Sequence, residues 1–146
     1  MTTLINSTES QIAEPQVSGI VRGARYLYTF VAILLMAGIA LQVYFAGAAL
    51  LVDSGYLETH RMFAHVLELF ALVLPVVVIF SRLGWRIGLT SLLPFFLIAM
   101  QYFFLWALVG MGLPTWTRGL HAVNALVIFW VALYLTTSAW RRSRAS

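Results

Sequence analysis

The sequence predicts an all-α integral membrane fold, an up-down-up-down bundle of four transmembrane helices. Three observations carry this: 62% of the residues are hydrophobic against 10% charged, four apolar runs are long enough to cross a bilayer, and the connections between them are short. A hydrocarbon core about 30 Å thick needs roughly 20 apolar residues at about 1.5 Å rise each. Short loops make consecutive helices antiparallel neighbours.

Residues 1–18 (MTTLINSTESQIAEPQVS) are polar, carry Glu9 and Glu14, and read as a flexible N-terminal tail. They lack the basic start and short apolar run of a cleavable signal peptide. Residues 19–146 form the four-transmembrane-helix domain. The first span is expected at about Arg25–Val52, where Ala37, Gly38, Gly47 and Ala48 permit close helix approach.

The second span is expected at Tyr56–Phe80, with Asp53 or Ser54 as its cap and a kink at Pro75. A third follows at Ile87–Met111, kinked at Pro94, after the connection Ser81-Arg82-Leu83-Gly84-Trp85-Arg86. Prolines inside membrane helices are tolerated where neighbouring groups re-satisfy the freed carbonyl. The fourth runs Thr115–Trp140, with Pro114 suited to its first turn. Trp85, Trp116 and Trp140 fall near span ends, where interfacial aromatics collect.

Arginine placement gives the orientation. Arg22, Arg25, Arg82, Arg86, Arg141, Arg142 and Arg144 lie on one side, and only Arg61 and Arg118 on the other. The positive-inside rule puts the first side, with both termini, in the cytoplasm. The chain has a net charge of +4 and no lysine, but its nine arginines sit in short groups between apolar runs. They form no continuous basic surface, so nucleic acid is not an expected partner. The absence of cysteine excludes disulfides, thiolate metal sites, iron–sulfur clusters and c-type haem attachment.

Ionisable and amide side chains at membrane depth are expensive, so each is a functional candidate. They are Gln42, His60, His65, Glu68, Gln101, His121 and Asn124, one zone of the outer half to which all four spans contribute. His121 and Asn124 share a helical face with Ala125 and Ile128, and His65 and Glu68 share one with Leu69 and Leu72. His60 and His65 differ by about 140° around their helix, so both cannot face one centre. Glu68 as an isolated anion would be costly, and His65 one turn away is its natural partner. The bland alternative is that Gln42, Gln101 and Asn124 form interhelical hydrogen bonds, each worth about 1 kcal/mol or less. The many Phe, Tyr and Met side chains read as lipid-facing or core packing.

Three functions fit this pattern. Histidines from the parallel second and fourth spans could supply the axial nitrogens of a haem b lying edge-on in the bundle, for electron transfer or redox sensing. The ligands would be His121 with either His60 or His65, and Arg61 and Arg118 could meet the propionates. Alternatively, His65, Glu68 and His121 could bind a divalent metal or relay protons. In the third reading the chain is a structural subunit of a larger membrane complex or a homo-oligomer, its polar residues holding helices together. A transporter is disfavoured by the lack of paired broken helices, and a hydrolase by the lack of a hydroxyl nucleophile spaced to pair with histidine.

Two resemblances add to this. Thr59-His60-Arg61-Met62-Phe63-Ala64 and Gly119-Leu120-His121-Ala122-Val123-Asn124-Ala125-Leu126 are similar to the histidine-bearing helix starts of haem-binding four-helix modules, such as each half of haem A synthase. That resemblance implies His60 and His121 as ligands; the enzyme has two such halves, this chain one. Over about residues 20–140 the chain resembles a family of small bacterial four-span proteins of unknown function. The likeness is carried by Leu-Gln-Val-Tyr-Phe-Ala-Gly in the first span and Leu-His-Ala-Val-Asn-Ala-Leu in the fourth. It implies a multi-pass protein of the bacterial inner or plasma membrane.

Overall fold

The computed structural model describes residues 17–144, so the tail expected over residues 1–18 lies, apart from Val17 and Ser18, outside the described residues. Ser18 belongs to the fold. Its Oγ accepts the Val21 N–H at 3.4 Å and caps the first helix, α1 (Gly19–Leu51). α1 therefore starts at Gly19 rather than Arg25, because the cap and not the apolar run sets its beginning.

α2 (Tyr56–Ser81) starts where expected, but neither Asp53 nor Ser54 caps it. Gly55 occupies the cap position, and Asp53 Oδ1 accepts the Gly55 N–H at 2.7 Å to tighten the loop. The helix continues through Pro75 and ends on Arg82 in the left-handed region (φ 50°). The third span is composite. α3 (Trp85–Thr90) and α4 (Leu93–Tyr102) are separated by a turn that puts Pro94 in the first turn of α4, where its missing N–H costs little. A π-helical turn (Phe103–Ala107) and a short α5 (Leu108–Gly110) complete it. After Pro114, a 3₁₀ turn (Thr115–Gly119) leads into α6 (Leu120–Arg144).

All four segments are long and apolar enough to cross a membrane, and no strand occurs among the described residues. The protein is thus an all-helical, multi-pass membrane bundle. Side chains such as Leu50, Leu69, Ile79 and Phe96 stay exposed on its outer faces, as a lipid environment requires. Lipid tails are as apolar as leucine, so the helices associate through close packing and hydrogen bonds rather than through the hydrophobic effect.

Packing is uneven along the bundle. At the arginine-rich end Tyr28, Leu35, Leu74, Leu83, Ile87 and Leu135 are buried. Tyr28 Oη lies 2.6 Å from Ser91 Oγ, which in turn donates to the Ile87 carbonyl. Arg25 Nε donates to the Ser81 carbonyl at 3.1 Å and its Nη1 to the Arg142 carbonyl at 3.3 Å, while Arg142 Nη1 donates to the Leu83 carbonyl. These bonds tie the ends of α1, α2 and α6 together. Midway along, Gly38 lets α1 approach α2 so closely that an added Cβ would stand 2.5 Å from Leu67 Cδ2. α1 packs extensively on both α2 and α6, and α4 packs on α6; α2 and α4 touch only sparsely. Towards the end that carries the 53–55 and 112–114 turns, that seam opens.

Candidate functional site

The opening is a cavity of about 620 Å³. It lies in the half of the bundle where the intramembrane polar residues were expected to gather. Gln42, His60, His65, Gln101 and His121 all line it, among side chains that are otherwise mostly apolar.

His60 is fixed from two directions. Its Nδ1 lies 3.1 Å from the Gln42 carbonyl, to which it donates as the Nδ1–H tautomer, and Gln42 Nε2 donates to the His60 carbonyl at 2.7 Å. This reciprocal pair crosses from α1 to α2 and does not involve the other ring nitrogen, His60 Nε2. Such a hydrogen bond on one ring nitrogen is the usual means of orienting a ligating imidazole through the other. His121, in the first turn of α6, faces it: the two ring centres are 6.1 Å apart with their planes at 60°. His121 Nδ1 is buried beside the Gln101 backbone without a hydrogen bond of good geometry.

His65 belongs to a different group. Its Nδ1 lies 3.0 Å from Glu68 Oε2, the i, i+3 partnership expected from spacing. Tyr102 of α4 donates to the other oxygen, Oε1, so a carboxylate bridges an imidazole on its own helix and a phenol on the next. Tyr102 is the residue that sequence reasoning missed. It had been counted among the packing aromatics, and no periodicity marks a partnership between side chains on separate spans.

The two outer arginines differ. Arg61 lines the cavity and makes an exposed contact of 3.7 Å with Glu58. Arg118 stands back from it, its guanidinium 5.9 Å from the ring centre of Trp106, which does line it. Asn124 is buried and donates from Nδ2 to the Leu97 carbonyl at 2.7 Å, an α6–α4 link of the interhelical kind. Gln42 Oε1 and Gln101 Oε1, by contrast, are buried acceptors without a protein partner. Among the described residues no three of His, Cys, Asp and Glu gather into a group able to hold a metal, so His65, Glu68 and His121 do not form one.

The arrangement therefore offers two facing imidazoles in a largely apolar chamber and, at its α2–α4 edge, a hydrogen-bonded imidazole–carboxylate–phenol chain. Residues 42–108 match the model of a family of unknown function, DUF6220. The match begins at Gln42 and takes in His60, His65, Glu68, Gln101 and Tyr102, but stops before His121. No curated protein and no solved structure matches the chain, so the likeness to half of haem A synthase rests on the two histidine segments alone.

Proposed function

We propose that this chain is a haem b-binding membrane protein in which His60 and His121 are the axial ligands, serving electron transfer or redox sensing. The observation that carries this reading is the 6.1 Å between their ring centres. Two imidazoles that each hold a metal at about 2.0 Å stand with their ring centres about 6 Å apart.

The surrounding residues fit the group. A cavity of about 620 Å³ is of the ordinary size for a cofactor site, roughly 300–1,000 Å³, and a mostly apolar lining suits a macrocycle with few polar atoms. The Gln42 carbonyl holds His60 in the tautomer that exposes Nε2. Arg61, at the cavity wall, is placed to meet a propionate, and Arg118 stands one side chain further out. His65 is the poorer ligand of the second span, since its side chain is largely exposed, whereas the His60 ring faces that of His121. When bound, the haem would supply one-electron chemistry; the chain orients it, keeps water from it and compensates its carboxylates. With the arginine-rich end in the cytoplasm, this site lies in the outer half of a bacterial plasma membrane.

A purely structural role for these residues predicts that their polar atoms pair with each other. Asn124 does so, but Gln42 Oε1 and Gln101 Oε1 do not, and they line an open cavity. The test is an absorption spectrum of detergent-purified protein from haem-replete cells, oxidised and then dithionite-reduced. A sharp reduced α-band that is lost in both His60→Ala and His121→Ala is the expected result. A featureless spectrum in the unaltered protein overturns the reading.

A further inference from the structure

We infer that the α2–α4 edge of the cavity, at His65, Glu68 and Tyr102, is a docking site for a lipid-soluble quinol. This goes beyond the haem reading and does not rest on it.

The first observation is where the polar chain lies. His65, Glu68 and Tyr102 stand well inside the spans, yet the His65 side chain is 64% exposed and that of Glu68 30%. A carboxylate and an imidazole left open at membrane depth are costly, and an interhelical hydrogen bond worth about 1 kcal/mol is small return for them. Their exposure is explained if a polar group arrives from the bilayer to meet them.

The second is what remains available. His65 uses Nδ1 and each Glu68 oxygen accepts once, which leaves His65 Nε2 and further carboxylate lone pairs. Gln101, the residue before Tyr102, adds a buried acceptor, Oε1, that nothing in the protein satisfies. With Nδ1–H donating to Glu68, Nε2 is the lone-pair nitrogen of the ring, so the edge presents acceptors. Quinol hydroxyls can donate to His65 Nε2, Glu68 or Gln101.

The third is the wall. His65, Gln101 and Tyr102 line the cavity together with Leu105 and Trp106, which follow within the π-helical turn. Such turns recur at functional sites. A ring could lie flat against this aliphatic and aromatic surface while its tail stayed in the sparse seam between α2 and α4. An acyl chain would fill the same space but give no partner to His65 Nε2 or Gln101 Oε1.

The test is photolabelling of the full-length protein in lipid nanodiscs with an azido-quinol kept reduced under argon, peptides being mapped by mass spectrometry. Label is expected on the peptides bearing His65 and Tyr102, displaced by excess decylubiquinol. Glu68→Gln and His65→Phe should each cut displaceable label about tenfold, the cost of about one hydrogen bond. Label spread evenly over all spans, label that decylubiquinol does not displace, or label unchanged in both Glu68→Gln and His65→Phe would overturn the inference. Spectra of the same preparations separate the two readings: displaceable label without a haem band refutes the haem proposal alone, and a haem band without displaceable label refutes this one alone.

Discussion

Gln42 and His60 bond to each other twice, the imidazole Nδ1–H to the Gln42 carbonyl at 3.1 Å and the Gln42 amide to the His60 carbonyl at 2.7 Å. The pair aligns α1 with α2 at the level of the cavity and turns one face of His60 towards His121. Only the second bond uses the glutamine side chain. Gln42→Leu should therefore keep haem but bind it more loosely, with a stability loss of about 1 kcal/mol for the freed carbonyl. Haem occupancy per chain and the thermal midpoint in detergent check this.

The division of labour between the two histidines of α2 predicts a contrast. His65→Ala, which touches the Glu68 chain and not the His60–His121 pair, should leave the reduced α-band in place. Loss of the band in His65→Ala with retention in His60→Ala would exchange their roles. That outcome would require α2 to rotate by well over a quarter turn from its present setting, given the spacing of the two residues.

Gly38 carries a packing prediction. A methyl group there would stand 2.5 Å from Leu67 Cδ2, so the leucine tip or the helix must move. Gly38→Ala is expected to cost about 1–3 kcal/mol, the usual range for overpacking. Leu67→Ala in the same chain should restore part of it, because the two sites are in contact and their effects are not additive. Unfolding of the four variants of this cycle in mixed micelles measures the coupling.

At the other end, Arg142 Nη1 donates to the Leu83 carbonyl beside Gly84, whose φ of 92° lies in the region that favours glycine. A Cβ on Gly84 would stand 2.6 Å from Arg142 Nη1. Gly84→Ala should thus strain the backbone and displace the guanidinium together, for a loss exceeding about 1 kcal/mol. Arg142→Lys should lose stability as well, since it removes the Nη1 that donates to this carbonyl. Thermal midpoints of the two variants test the point.

How far the sequence disclosed this arrangement varies by element. The four spans were legible because about 20 uninterrupted apolar residues have few other uses, and the bond between His65 and Glu68 was legible because helical spacing decides it. The start of α1 before Arg25 was not legible, because Ser18 and Arg22 look like flanking sequence until the Ser18 cap on the Val21 N–H is seen. The π-helical turn at Phe103–Ala107 has no sequence marker among so many apolar residues. The Tyr102–Glu68 bond and the choice of His60 over His65 opposite His121 depend on how helices rotate against each other. Periodicity within one helix does not report that.

Orientation yields the last prediction. Seven arginines flank one membrane face and two the other, a bias carried by short segments close to the span ends, where such charges count most. A reporter active only outside the cytoplasm should be silent when fused after Ser146 and active when inserted in the 53–55 turn. Replacing Arg82 and Arg86 by Ala while adding two arginines to the 112–114 turn narrows the bias to five against four and should give mixed reporter activity. The proposed site makes the same experiment informative about function: in inverted molecules the His60–His121 cavity would lie towards the cytoplasm, exposing its haem edge to a different set of electron partners. Retained single orientation in that variant would mean that the long polar segment before α1, and not arginine count, fixes the topology.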